Sequence, residues 1–154
     1  MTTPRDFVYT TYIKTTPEKL WAALTNPEFT KQYWGQKNIS DWKTGSDWRH
    51  EHGGDGHTLI TGKVIESNPP HRLVLSWAAP DNLDDLSQVS FDIQIVGDMV
   101  KLDVVHGQFK PESKMAAGVT AGWPRVLSSL KTYLESGTPL DTWADHGKSC
   151  GAAA

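Results

Sequence analysis

The stretch Val119 to Gly137, VTAGWPRVLSSLKTYLESG, decides the fold. Val119, Trp123, Val126, Leu127, Leu130, Tyr133 and Leu134 recur at the i, i+3, i+4, i+7 spacing of one helix face. Ser128, Lys131 and Glu135 fall off that face, and Gly137 supplies the stop. No other long helical pattern occurs in the chain, so the remaining elements must bury their apolar surface against this stripe. Pro124 lies inside the pattern. Either the regular helix begins there, or an earlier turn is kinked by the missing N–H and the clash of the ring; the apolar spacing upstream favours the kink.

The rest of the chain predicts strands. Phe7 to Ile13, FVYTTYI, is short and rich in aromatic and β-branched residues, with Phe7, Tyr9, Thr11 and Ile13 on one face. Thr16-Pro17-Glu18 and Asn26-Pro27-Glu28 then each combine an N-cap side chain, a proline at the first helical position and an acid in the first turn. They predict two short helices, the second stopped by Gly35. From Ile39 to His106 strand-like segments alternate with turn residues, among them Gly53-Gly54-Asp55-Gly56 and Asn68-Pro69-Pro70. Val89, Phe91, Ile93 and Ile95 alternate with polar residues, as do Leu73, Leu75 and Trp77, and Val100, Leu102, Val104 and His106. A one-sided antiparallel meander is expected, with the C-terminal helix as its cover.

Composition narrows the function classes. At 154 residues the chain is sized for one domain, expected over residues 1–140, with 141–154 a loosely held tail that only Leu140 and Trp143 could anchor. A net charge of −3 and no basic run argue against a nucleic-acid partner. No apolar run approaches the ~18 residues of a spanning helix, so no membrane insertion is expected. The lone Cys150 precludes an internal disulfide, and with no leader-like start the expected location is cytoplasmic. Glycine-rich phosphate loops and nucleophile elbows are absent, and no cofactor is expected. The unusual number is seven tryptophans, which either fill a core or line a cavity.

Four segments carry a resemblance: TPEKLWAALTNPEFTKQYWG (Thr16 to Gly35), SDWKTGSDW (Ser40 to Trp48), GKVIESNPPHRLVLSW (Gly62 to Trp77) and GWPRVLSSLKTYLESGTPL (Gly122 to Leu140). In this order, over about residues 5–140, the chain resembles the START-like or SRPBCC superfamily. Within it the likeness is to the branch named after the C-terminal domain of the activator of the Hsp90 ATPase. The resemblance implies an α+β helix-grip fold, in which a curved antiparallel sheet of about seven strands wraps a long C-terminal helix. It also implies a hydrophobic cavity between them, which in many relatives holds a lipid, sterol, hormone or polyketide. Relatives include carriers, receptors, cyclases, dehydratases and chaperone cofactors, so the fold alone selects none of these roles.

Strand parity and the helix stripe assign the wall of such a cavity to Tyr9, Thr11, Trp77, Phe91, Leu102, Val104, Trp123, Leu127 and Leu130, with Trp34 and Trp48 closing its mouth. The competing reading is that these rings fill a solid core. Tyr9, Thr11 and His106 are the expected polar groups. His106 ends an inward-facing row and is a weak candidate for a general base, with Tyr9 as proton donor in a cyclase or dehydratase; the alternative is a hydrogen-bonded structural imidazole. Glu66, a conceivable orienting acid, is expected at a solvated strand end. His50, His52 and His57 flank one hairpin turn and could converge, yet a polar hairpin tip is expected there rather than a metal site. Gly122-Trp123-Pro124 is either a packed kink or a gate swinging with the helix's first half. The first functional reading is a binding protein for a small hydrophobic or amphipathic ligand. The alternatives are the His106 enzyme and a protein-interaction module, with a homodimer or protein partner.

Overall fold

A computed structural model describes residues 2–146, and in it every strand joins one antiparallel sheet. The strands are β1 (Phe7–Ile13), β2 (Gln36–Ile39), β3 (Asp47–His52), β4 (Thr58–Asn68), β5 (Arg72–Ala79), β6 (Asn82–Val96) and β7 (Met99–Gly107). Their order across the sheet is β1-β7-β6-β5-β4-β3-β2. Helices α1 (Pro17–Thr25) and α2 (Pro27–Trp34) follow β1, and α3 (Met115–Ser136) follows β7. The sheet curls over α3, which is the helix-grip arrangement.

The local chemistry follows the expected signals. Thr16 Oγ1 accepts from the Lys19 N–H at 3.2 Å, and Asn26 Oδ1 accepts from the Glu28 N–H at 2.9 Å. Gly35 and Gly137 close their helices in the left-handed region, at φ 87° and 83°. Helix α3 starts at Met115 and runs through Pro124, so the regular helix does not begin at the proline. Its own N-cap residue, Lys114, makes no side-chain cap. Asp85 of β6 serves instead, Oδ2 accepting from the N–H groups of Lys114 and Met115 at 3.0 Å each.

The buried layer consists of the inward strand rows and the α3 stripe. Val100, Leu102, Val104 and His106 are wholly buried, as expected, and Val126, Leu127 and Leu130 meet them from the helix side. Two expectations are corrected. Ile95 is 65% exposed, because the β6–β7 hairpin ends at Gly97 and Ile95 lies beyond the covered part of the sheet. The sheet is not one-sided throughout: Val74, Ser76 and Ala78 are buried as well as Leu73, Leu75 and Trp77. β5 is the middle strand, and its short outward side chains are screened by its neighbours; Ser76 Oγ accepts from the Lys63 N–H of β4 at 2.8 Å.

Of the tail expected from residue 141, residues 141–146 lie against α2 and α3. Trp143 is buried and its indole N–H donates to the Trp34 carbonyl at 3.3 Å. Arg125 binds Asp145 through two hydrogen bonds of 2.7 and 2.8 Å and lies 5.6 Å from the centroid of the Trp143 ring. Residues 147–154, with Cys150, lie outside the described residues.

Gly62 shows how tightly β4 supports the interior. A Cβ there would stand 2.0 Å from the Ser76 carbonyl oxygen and 2.7 Å from Nε1 of Trp48, the two atoms joined by a 2.8 Å hydrogen bond. Gly62→Ala is expected to lower stability by about 1–3 kcal/mol in urea unfolding and to change the near-ultraviolet ellipticity. An unchanged midpoint and spectrum would show that the Trp48 indole is not held there.

Candidate functional site

Between sheet and α3 lies a continuous group of rings. Trp123, at the middle of α3, has its centroid 5.3 Å from Trp34, 5.6 Å from Trp77 and 5.8 Å from Phe91. Trp77 lies 5.2 Å from Trp48 and 5.1 Å from His106, and Trp34 lies 4.5 Å from His50. The rings are brought together by alternation on β3, β5, β6 and β7 and by the end of α2.

His106 is held at every polar atom. The Trp123 indole N–H donates to Nδ1 at 3.0 Å, which places the imidazole proton on Nε2; that N–H donates to Ser87 Oγ at 2.8 Å. The Ser87 hydroxyl in turn donates to the Trp77 carbonyl at 3.2 Å. Phe109 stacks on the imidazole with centroids 5.2 Å apart. Burial pushes the His106 pKa down to about 3, so the ring is neutral. Both ring nitrogens of His106 are thus engaged, one by an indole and one by a hydroxyl. Glu66 is exposed and paired with Arg72, away from His106.

His50 is the residue the sequence reading misplaced. It shares parity with Trp48, both point inward, and a register shift between His50 and Glu51 then turns the strand end outward. Its Nδ1–H donates to Asn38 Oδ1 at 2.6 Å, leaving Nε2 as a bare acceptor. Among the described residues that Nε2 has no partner, and neither has Nε1–H of Trp77, although both atoms are buried. The two ring centroids are 6.3 Å apart. Burial also lowers the His50 pKa to about 3, so this imidazole too is neutral.

The other expected residues fall as follows. Trp77, Phe91, Leu102, Val104, Trp123, Leu127 and Leu130 are buried in this layer. Trp34 and Trp48 are buried within it rather than placed at a mouth, because Gly35 turns the chain straight into β2 and the 40–46 loop covers β3. Trp42 on that loop takes the outer position, 6.4 Å from Trp48; it sits at φ 59°, a backbone region a large side chain rarely occupies. Tyr9 and Thr11 are half-buried on edge strand β1, across the sheet from His50. The three-imidazole convergence does not form. His52 and His57 stack 5.0 Å apart at the hairpin with Asp55, their ligand atoms within 4.8 Å of one another, while His50 faces the core. Hydrogen bonds run through the same turn: Asp55 Oδ1 accepts from the His57 N–H at 3.1 Å, and His52 Nδ1 accepts from the Gly54 N–H at 3.1 Å. No helix among the described residues is long and apolar enough to cross a membrane.

A curled antiparallel sheet closed on a long C-terminal helix, with two short helices after the first strand and a ring-lined layer between, defines a helix-grip domain of the START-like superfamily. Within that class the chain belongs to the family described as Activator of Hsp90 ATPase homolog 1-like protein, which matches residues 14–135. The Aha1 dimer from Colwellia psychrerythraea has the same fold, with a TM-score of 0.71 and 24% identity over 87% of this chain and 98% of that one. A protein from Mesorhizobium loti is 27% identical, with a TM-score of 0.71 over 84% of this chain and 96% of its own. An HSP90 activator from Plasmodium falciparum is 27% identical, with a TM-score of 0.60 over 71% and 76%. No curated protein matches the chain.

The two neutral imidazoles set a pH dependence. In the unfolded chain each histidine takes up a proton below about pH 6.5, whereas in the folded protein it does so only near pH 3. Stability is therefore full above about pH 6.5 and falls on acidification, by about 1.4 kcal/mol per pH unit for each histidine and about 4 kcal/mol for both by pH 5. Urea unfolding at a series of pH values measures this. Equal stability at pH 7 and pH 5 would mean that both rings accept protons while folded.

Proposed function

We propose that this protein binds a small hydrophobic or amphipathic molecule between the sheet and α3, without covalent chemistry. The observation that carries the reading is the pair of unpartnered buried atoms, Nε2 of His50 and Nε1–H of Trp77, inside a wall that is otherwise aromatic and aliphatic. Buried polar atoms are nearly always satisfied, so an open acceptor and an open donor on neighbouring rings support a place for another molecule's polar group. The full engagement of His106 favours binding over a cyclase or dehydratase role for this interior.

Room is made by movement. The rings touch in the closed form, and Trp123 is tied to the sheet by its one indole hydrogen bond to His106. Pro124 has no N–H to offer the Thr120 carbonyl, so α3 is weakest next to that ring. An open groove of about 730 Å³ between residues 4–8 and the first half of α3, lined by Phe7, Val8, Ala117 and Ala121, gives that half somewhere to move.

A second reading, a self-associating module, is favoured by the dimeric Colwellia relative and by edge strand β1, whose Val8 and Tyr12 are exposed. Sedimentation across a wide concentration range separates a monomer from a β1-mediated dimer.

The binding reading is tested by titrating the indole N–H resonances against fatty acids, sterols, flavonoids and polyketide-like aromatics. Saturable shifts are expected at Trp34, Trp48, Trp77 and Trp123, with Trp21 on α1 as the internal control. Stabilisation should reach about 2.7 kcal/mol at a hundredfold excess over Kd. Silence from all four indoles across the panel would refute the reading.

A further inference from the structure

The chemistry of the open pair specifies more than an apolar ligand. His50 donates through Nδ1 to Asn38, so its Nε2 can only accept; Trp77 Nε1–H can only donate. A ligand group that satisfies both must therefore give one proton and receive one. A carbonyl answers Trp77 but presents a second lone pair to His50. An ammonium answers His50 but has nothing for Trp77 to donate to. A carboxylate has no proton to give, and among the described residues no cationic side chain is present in the ring layer to balance its charge. One oxygen that accepts from one nitrogen and donates to another holds the two about 4.5–5 Å apart, a separation within reach of nitrogens on rings whose centroids are 6.3 Å apart.

We infer that the ligand is a neutral alcohol or phenol, anchored by a single hydroxyl that donates its proton to Nε2 of His50 and accepts from Nε1–H of Trp77. This rests on the binding reading above and adds the chemical class. The surroundings favour a flat, unsaturated body on that hydroxyl, since Trp34 lies 4.5 Å from His50 and Trp48 lies 5.2 Å from Trp77. Asn38 acts here as a positioning residue. It holds the imidazole proton on Nδ1, and its own backbone N–H is fixed by Thr30 Oγ1 at 3.0 Å.

Three probes of one shape test the inference on the full chain: 2-naphthol, 2-methylnaphthalene and 2-naphthoate. Affinities are read from the indole N–H resonances, and the His50 ring nitrogens from long-range ¹H–¹⁵N spectra. The expected result is that 2-naphthol binds about tenfold or more tighter than either analogue. It should also carry the Trp77 Nε1–H downfield and shift His50 Nε2 toward the value of a hydrogen-bonded acceptor. Trp77→Phe should narrow the preference for 2-naphthol over 2-methylnaphthalene to about twofold or less; a full preference in that variant would overturn the assignment. Equal binding of 2-naphthol and 2-methylnaphthalene, with shifts at the interior indoles, would overturn the hydroxyl inference and leave the pocket standing. Tight 2-naphthol binding with both His50 Nε2 and Trp77 Nε1–H unmoved would do the same. No interior shift with any of the three, and none with the broader panel, would remove the pocket reading itself.

Discussion

The hydrogen bond from the Trp123 indole to Nδ1 of His106 fixes how the helix sits on the sheet. Apolar stripes are tolerant of sliding, because one turn of a helix offers much the same surface as the next. A buried donor and acceptor are not tolerant: shifting α3 by a turn would leave an indole N–H and an imidazole nitrogen unpaired, at about 1–3 kcal/mol each. The same contact selects the tautomer that lets His106 reach Ser87, and Ser87 closes the chain on the Trp77 carbonyl. Helix, β6, β7 and β5 are thus locked into one register by polar atoms inside an apolar layer.

Seen from this contact, the interior has two unlike halves. On His106 both ring nitrogens are matched, and packing and hydrogen bonding agree. Around His50 one nitrogen is matched, by Asn38, and the opposite one is open beside an equally open indole. Low dielectric makes unmatched atoms costly and makes a matching group correspondingly valuable. A ligand entering the second half gains what the first half already has.

The fold was legible because its signals were local or periodic. Caps at Thr16 and Asn26, stops at Gly35 and Gly137, and unbroken alternation along Val100 to His106 each need only a few neighbouring residues to interpret. His106 was placed inward correctly because β7 has no register shift. His50 was assigned to a hairpin cluster because the shift at His50/Glu51 is invisible in composition, and His52 and His57 lie nearby in sequence. The parity of Trp48 with His50 was the available signal. Trp34 and Trp48 were expected at a rim since nothing in the chain announces that the 40–46 loop folds over them. Asn38 and Ser87 carry no such signal, because short polar residues acquire roles only from what they are placed against, and Phe109 lies past the end of β7, outside any alternating row. Trp143 stands out as an anchor by its size alone, but its partners, Arg125 and the Trp34 carbonyl, are remote in sequence.

The packing of the tryptophans also has an optical consequence. Indoles whose centres lie 5.2–5.6 Å apart, as in the Trp48–Trp77, Trp34–Trp123 and Trp77–Trp123 pairs, share their excited states rather than absorbing singly. Their transition dipoles couple, and the tilted ring planes make that coupling chiral. The far- and near-ultraviolet spectra of this protein therefore carry exciton bands that belong to no single chromophore. Any event that parts one ring from its neighbours redistributes the whole set, so the molecule carries its own unlabelled reporter of interior opening.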